Sequence, residues 1–272
     1  MSNLKQILQQ VRDNNYAIPN DPTVEDLTLA MINNIGAIDS ELRDELIYST
    51  FSQWILGKKL STELVKQVLF KALDDEHLFY ELGDSNTDTV FTRSFSILLI
   101  PLALEYHATE PFLSNEQYDD VYSKVCDYFI HEQDFRGYIV GKGWAHAAAH
   151  SADAFESLAA STYCSPDQCI EILSLVKRKF CINSYTFING EDDRVAEVVF
   201  RIVERGLLSK HIISDWIKQF SGTTYSNSYP EDDILRTNTK NLLRSICFKL
   251  MSQDTDSHKD LTEDLIHVLS EM

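Results

Sequence analysis

Helix-start signals recur along most of this chain at a nearly constant interval. Ser-Thr-Glu at 61–63, Ser-Asn-Glu at 114–116, Ser-Pro-Asp at 165–167 and Ser209 each precede a run with apolar residues at helical spacing. A last run of this kind follows His258. The first four starts are roughly 45 to 53 residues apart, which is typical of two-helix repeats.

A second set of helices is predicted between these runs. They are more apolar or richer in alanine than the first set, as expected of helices that are buried on more than one side. Their ranges are about 90–106, 143–161, 191–206 and 231–251. Three further helices, near 3–14, 23–34 and 39–57, are predicted at the N-terminal end.

Composition agrees with a helical architecture. The chain has only 9 glycines and 6 prolines, which argues against a turn-rich β protein, and its 44% of hydrophobic residues suffices for a buried core. We predict an all-α fold without a sheet: an αα-hairpin repeat superhelix, either a HEAT/armadillo-like α-solenoid or an incomplete α/α toroid. We expect one domain over 1–272, with N-terminal capping helices in 1–57 and about four helix-pair repeats in 58–272.

Charge and cysteine content exclude several classes of function. A net charge of −18 opposes binding to a nucleic acid or to an anionic membrane surface. The five cysteines form no CxxC pair, so we expect neither a disulfide framework nor a zinc-binding spacing. The N-terminus is polar and has no apolar core of a secretory signal, and the apolar run 95–104 is too short to span a bilayer. These features predict a cytoplasmic protein.

The alanine-rich segment 143–153 is the first candidate for a functional site. Read as one helix, it places His146, His150 and Asp153 within about a 60° arc of one face. Two histidines at i and i+4 can both reach a zinc ion, with Asp153 as a third ligand or as an orienting partner. Alternatively, the histidines only form structural hydrogen bonds. The segment lacks the built-in base of HExxH, so no cofactor is favoured and zinc remains the cofactor that the pattern allows.

Long connecting segments supply the other candidates. In a repeat array, the loops at 74–88, 133–142, 182–193 and 221–233 would line one rim, where functional residues commonly lie. That rim would also hold the N-termini of the second set of helices, which attract anions. The predicted ligand-binding residues are Arg93, Ser94, Arg136, Trp144, Glu191, Asp192 and Arg194.

Each of these residues also has a structural interpretation. Arg136 and Trp144 can clamp a carboxylate or phosphate, or Arg136 can pair internally with Asp134, Asp153 or Glu191. The acidic residues at 191–193 can contact a substrate, hold Arg136 in place, or cap a first helical turn and complement its dipole. Ser94 has no adjacent base and no nucleophile-elbow motif.

Four motifs carry a resemblance to a known family. They are Phe-Thr-Arg-Ser-Phe at 91–95, Asp-Phe-Arg-Gly-Tyr at 134–138, the segment from Gly143 to Asp153, and Gly-Glu-Asp-Asp-Arg at 190–194. In this order they resemble an uncharacterised bacterial, mainly Firmicute, family of helical proteins catalogued as a domain of unknown function. The resemblance implies a shared site around these motifs and does not imply a reaction.

Two functions follow from the candidate residues. The first is a binding protein that holds a small anionic molecule or a peptide segment in a pocket around Arg136, His146, His150 and Asp153. The second is a hydrolase-type or metal-dependent enzyme in which a histidine acts as a base or ligand and Asp153 orients it. Helical repeats bind more often than they catalyse, so we favour the first function.

Overall fold

The computed structural model describes residues 2–223, 225–253 and 258–272. About 65% of the chain is helical, which confirms the prediction that helices dominate the fold. The prediction that no sheet is present is wrong, because two short strands form one antiparallel ribbon. The chain divides into two compact units, residues 1–157 and 158–272.

The first unit consists of helices and the ribbon. Its helices are α1 (Ser2–Asp13), α2 (Val24–Ile32), a π-helix (Glu41–Tyr48) that continues into α3 (Ser49–Leu56), α4 (Thr62–Ala72), α5 (Thr89–Ile97), α6 (Leu99–Thr109), α7 (Asn115–His131) and the start of α8 (Ala147–Ala160). Its strands are β1 (Tyr138–Ile139) and β2 (Gly143–Trp144). Two predicted helices are thus divided: 39–57 begins as a π-helix, and 90–106 is interrupted by a turn at Leu98.

The second unit contains the end of α8 and further helices. These are α9 (Pro166–Phe180), α10 (Glu191–Arg205), α11 (Lys210–Lys218), α12 (Glu231–Met251) and α13 (Lys259–Glu271). Helix α10 packs against α9 and α12, and α13 packs against α11 and α12. The predicted bounds of α10 and α12 agree with the structure to within one residue.

All four predicted serine caps are confirmed. The hydroxyls of Ser61, Ser114, Ser165 and Ser209 each accept a hydrogen bond from the backbone N–H three residues later. Ser114 and Ser165 each belong to a complete capping box, in which a glutamine side chain returns to the N-cap N–H. The repeating start signals therefore mark real helix N-termini.

The predicted helix 143–161 begins later than expected. Gly143 and Trp144 form β2, which pairs with Ile139 and Tyr138 of β1, and the helix starts only at Ala147. His146 has a left-handed backbone conformation with φ of 52°, so it precedes the helix and does not belong to it. The interpretation of 143–153 as one helix is therefore wrong, and His146 does not share a helical face with His150.

The core of the first unit is built from large aromatic and aliphatic side chains. Phe51, Trp54, Phe91 and Phe129 are fully or almost fully buried. The Trp54 indole donates a hydrogen bond to a backbone carbonyl 2.8 Å away, which satisfies its buried N–H. One stretch, Thr89–Thr109, has the length and hydropathy of a membrane span, but 78% of its most apolar window is buried within the protein. Burial of this extent is typical of a core helix.

Two glycines in the ribbon provide a test of how tightly it is held. Gly141 and Gly143 both have positive φ, at 80° and 82°. A Cβ at Gly143 would lie 2.7 Å from the Ser40 Cβ and 2.9 Å from an Arg43 nitrogen, whereas a Cβ at Gly141 meets nothing within 4 Å.

We expect Gly141→Ala to lower the free energy of unfolding by about 1 kcal/mol, which is the cost of its backbone conformation. Gly143→Ala should cost about 3 kcal/mol in urea unfolding, since it adds a clash. Equal losses in the two variants would show that the ribbon is not packed as described.

Candidate functional site

The predicted site residues are divided between the two units. Arg93, Ser94, Arg136, Trp144, His146, His150 and Asp153 belong to the first unit. Glu191, Asp192 and Arg194 belong to the second unit.

Arg93 lies at the centre of a buried polar network. Its side chain has no exposed surface, and its guanidinium forms a bidentate pair with Glu132, with N···O distances of 2.6 and 3.0 Å. The other N–H groups donate to the backbone carbonyls of Tyr80, Glu81 and Asp84 and to the hydroxyl of Thr89. Every guanidinium nitrogen is thus engaged, so the contacts favour a structural role for Arg93 over ligand binding.

Glu132 extends this network to the next loop. One of its carboxylate oxygens also accepts the backbone N–H of Asp134 at 2.9 Å. Asp134 is 1% exposed, accepts the N–H of Asn86, and binds the Arg136 guanidinium at 2.6 to 3.1 Å. Arg136 in turn donates to the carbonyl of Thr87. These bonds join the segments 80–89 and 132–136 into one polar unit.

Arg136 therefore pairs internally with Asp134, as the structural interpretation of this residue expected. Its Nη1 nitrogen forms no hydrogen bond within the described part of the chain, and the side chain is 25% exposed. Lys142 lies in the same region and pairs with both carboxylate oxygens of Asp88, at 2.7 and 2.8 Å. Both cations are thus neutralised locally, and Arg136 keeps one open donor.

A second buried arginine holds one edge of the ribbon. Arg43, in the π-helix, donates to the backbone carbonyls of Lys142 and Trp144, while the neighbouring Asp44 accepts the N–H of Trp144. The Arg43 guanidinium also lies 4.1 Å above the ring of Phe91. Burial lowers the pKa of Arg43 and raises the pKa of Asp44, and their ion pair opposes both shifts. The outer edge of β2 is therefore covered.

The two faces of the ribbon differ. Ile139 packs on one face against a buried cluster formed by Val90, Phe91, Ala145 and Ala147. The opposite face carries Tyr138 and Trp144, whose rings meet edge to face at 5.0 Å and which are 56% and 38% exposed. Val140, at the turn, is 90% exposed. The ribbon thus presents an apolar surface to solvent on top of a packed base.

The edge of β1 has no partner strand. In the antiparallel register, Ile139 pairs with Gly143, and Ala145 donates to Gly137. The intervening pair, Tyr138 and Trp144, therefore points its backbone N–H and C=O groups away from the ribbon axis. The Trp144 groups meet Asp44 and Arg43, whereas the Tyr138 groups form no hydrogen bond among the described residues. This edge can accept an additional strand.

A column of rings runs from Trp144 into the protein. Trp144 stacks on His146 at 4.5 Å, His146 meets His150 at 5.7 Å, and His150 meets Phe95 at 5.2 Å. His146 and His150 are only 8% and 7% exposed. The Nδ1 of His150 lies 2.9 Å from the backbone carbonyl of Ser94, so Ser94 contributes to the column through its main chain. The histidines form the base on which the exposed indole rests.

Asp153 lies one helical turn beyond His150 in α8 and is partly buried. Within the described residues, no group of three or more His, Cys, Asp or Glu side chains is arranged to hold a metal ion. The structure therefore adds no support to a zinc site at His146, His150 and Asp153.

The acidic residues 191–193 of the second unit lie in the first turn of α10, as expected if they complement the helix dipole. Glu191 has no exposed surface, accepts the backbone N–H of Asn189 at 2.7 Å, and has a raised pKa because of burial. Asp192 accepts a hydrogen bond from the Ser245 hydroxyl at 2.7 Å. Arg194 also engages a partner within the protein. These contacts favour a capping and packing role for the motif.

Sequence reasoning missed two residues that organise this site. Arg43 lies three and four residues before Leu46 and Ile47, so it belongs to the same apolar stripe of its helix. This position is the signal that could have identified it as a buried cation. Glu132 follows α7 in a polar stretch, where nothing local distinguishes it from a solvated carboxylate. Its role depends on Arg93, which is 39 residues away along the chain.

Comparison with known proteins places the chain in a family. A family model described as "Protein of unknown function (DUF2785)" matches residues 78–248, which is more than half of the chain. The chain therefore belongs to this family, and the match spans all four motifs on which the resemblance rested. Neither the curated proteins nor the solved structures include a significant match.

The buried pair of Arg93 and Glu132 gives a direct stability test. Glu132→Gln removes the charge that compensates a fully buried guanidinium, and we expect it to lower the free energy of unfolding by about 3 kcal/mol or more. The control is Glu110→Gln, which breaks the half-exposed pair with Lys58 and should cost about 1 kcal/mol or less. Urea unfolding of both variants measures the difference, and similar small losses would contradict the central role of Arg93.

Proposed function

We propose that this member of the family binds an extended peptide segment of a partner protein on the ribbon 138–144. The observation that carries the proposal is the unpaired backbone edge at Tyr138 beside an exposed aromatic face. An added strand would pair with the Tyr138 N–H and C=O groups, and its side chains would contact Tyr138 and Trp144. This is recognition by β-strand addition, in which main-chain bonds supply affinity and side-chain contacts supply specificity.

The ribbon is suited to this role because it is held in place before any partner arrives. Arg43 and Asp44 bind the β2 edge, Ile139 packs on a buried cluster, and His146 supports the indole of Trp144. A surface that is already ordered loses little conformational entropy on binding. Tyrosine and tryptophan also offer large contact areas with few rotatable bonds, which makes them common at the centres of interfaces.

Charge distribution favours a peptide over a small anion as the ligand. Arg136 and Lys142 are each paired with a carboxylate, so the region has no cluster of uncompensated positive charge. The open Nη1 of Arg136 can still donate a hydrogen bond to one polar or acidic group of a bound peptide. We therefore propose a largely apolar peptide with at most one acidic side chain near Arg136.

The alternative function, an enzyme that uses His146, His150 and Asp153, gains no separate support from these contacts. One nitrogen of His150 is occupied by a backbone carbonyl, and His146 is covered by the Trp144 indole. Together with the binding function, we propose that the chain forms a single αα-superhelical domain and that the protein is cytoplasmic.

Peptide selection tests the proposal. Random peptides displayed on phage would be selected against the wild-type protein, and their dissociation constants measured by fluorescence anisotropy. Tyr138→Ala and Trp144→Ala should each weaken binding about tenfold or more, because each removes a central aromatic contact. Phe248→Ala, which removes an aromatic ring that is 70% exposed in the other unit, should leave binding unchanged.

Two outcomes would contradict the peptide-binding proposal. One is that selection yields no peptide with saturable binding. The other is that the selected peptides bind Tyr138→Ala and Trp144→Ala as tightly as the wild-type protein does.

A further inference from the structure

A second candidate site lies in the first unit, in the groove between α2 and α4. The groove has a volume of about 570 Å³, which lies within the range of small-molecule pockets. None of its lining residues belongs to the ribbon or to the column of rings. It is therefore independent of the proposed peptide site.

The groove has an apolar floor and one apolar wall. Ile32 of α2 and Leu64 and Val68 of α4 line it and are almost fully buried, which makes the floor well packed. Leu29 forms a wall and is 55% exposed. On α2 the lining residues follow the i, i+3, i+4, i+7 spacing of one helical face. The groove thus combines a buried apolar floor with an open mouth.

Thr28 also lines the groove and carries a polar group that lacks a partner. The residue is only 3% exposed, and its hydroxyl forms no hydrogen bond among the described residues. A buried hydroxyl without a partner is costly, and native structures contain few of them. A ligand that supplied a hydrogen bond to Thr28 would remove this cost.

The mouth of the groove is negatively charged. Its charged lining residues are Glu25, Asp26, Asp74 and Lys71, so three carboxylates face one ammonium group. Lys71 is already paired with Asp74 at 2.8 Å. Glu25 and Asp26 form no ion pair within the described residues, although Asp26 accepts a hydrogen bond from Thr23. The carboxylates without an ion pair therefore lie in the first turn of α2, one turn from Thr28.

From these observations we infer that the groove binds a small amphiphilic organic cation, with an apolar chain or ring and one protonated amine. The apolar part would lie against Ile32, Leu64 and Val68. The ammonium group would lie near Glu25 and Asp26 and donate a hydrogen bond to the Thr28 hydroxyl. Charge complementarity selects a cation over a neutral or anionic ligand of the same size.

The test uses three eight-carbon probes that differ in charge: n-octylamine, n-octanol and n-octanoate. Their binding to the full-length protein would be measured at pH 7 by isothermal titration calorimetry. We expect octylamine to bind at one site and at least tenfold more tightly than octanoate, with octanol between them. Equal affinities for the three probes, or no saturable binding of octylamine, would overturn the proposal.

Variants separate the groove from general attraction to an acidic protein. Glu25→Gln combined with Asp26→Asn should weaken octylamine binding about fivefold or more. The matched control, Glu116→Gln with Asp167→Asn, neutralises two exposed carboxylates in the first turns of other helices and should have no effect. If the two double variants weaken binding equally, the attraction is not specific to the groove and the proposal is wrong.

Two further variants address the interior. Gln67→Trp adds bulk at the exposed rim and should abolish binding, whereas Gln6→Trp, at an exposed position of α1, should not. Thr28→Val keeps the shape of the side chain and removes the hydroxyl, so it should weaken octylamine binding about threefold while the protein stays folded. Unchanged binding in Gln67→Trp would place the probe elsewhere and overturn the proposal.

Discussion

The structure of the first unit depends on the burial of one guanidinium. Because Arg93 has no contact with solvent, each of its nitrogens requires a protein acceptor, and Glu132 together with the carbonyls of segment 80–84 provides them. Glu132 then fixes Asp134, and Asp134 fixes Arg136 and Asn86. A requirement for hydrogen-bond satisfaction at one residue thus determines the course of two long loops. The first of them leads into α5, and the ribbon begins directly after the second.

Arg43 completes this arrangement from the other side. It bonds to the carbonyls on the outer edge of β2 and lies over Phe91, a residue of the same motif that contains Arg93. The ribbon is therefore held at its base and along one edge, while the edge of β1 and the face of Tyr138 remain open. Strand edges of this kind are usually protected, and the ordered edge left open beside exposed aromatic rings is the basis of the proposed binding surface.

Much of the helical fold could be predicted from sequence because its signals are local. The serine caps at 61, 114, 165 and 209 act over three residues and mark the starts of α4, α7, α9 and α11. The limits of α10 and α12 follow from the spacing of apolar residues. The ribbon could not be predicted in this way. Its formation depends on the left-handed conformation of His146 and on contacts with Arg43, about a hundred residues away in sequence. The sequence predicts ligand binding at Arg93 because it shows the charge of this residue and not its buried partner Glu132.

The central claim is that a partner strand pairs with the edge of β1, and amide hydrogen exchange of Tyr138 tests it most directly. Exchange would be measured by NMR in the free protein and in the complex with a selected peptide. We expect the Tyr138 amide to exchange rapidly in the free protein, at a rate expected of an unbonded N–H, and at least tenfold more slowly in the complex. Unchanged exchange at Tyr138 on saturation with a peptide, with protection appearing only in other elements, would contradict the account.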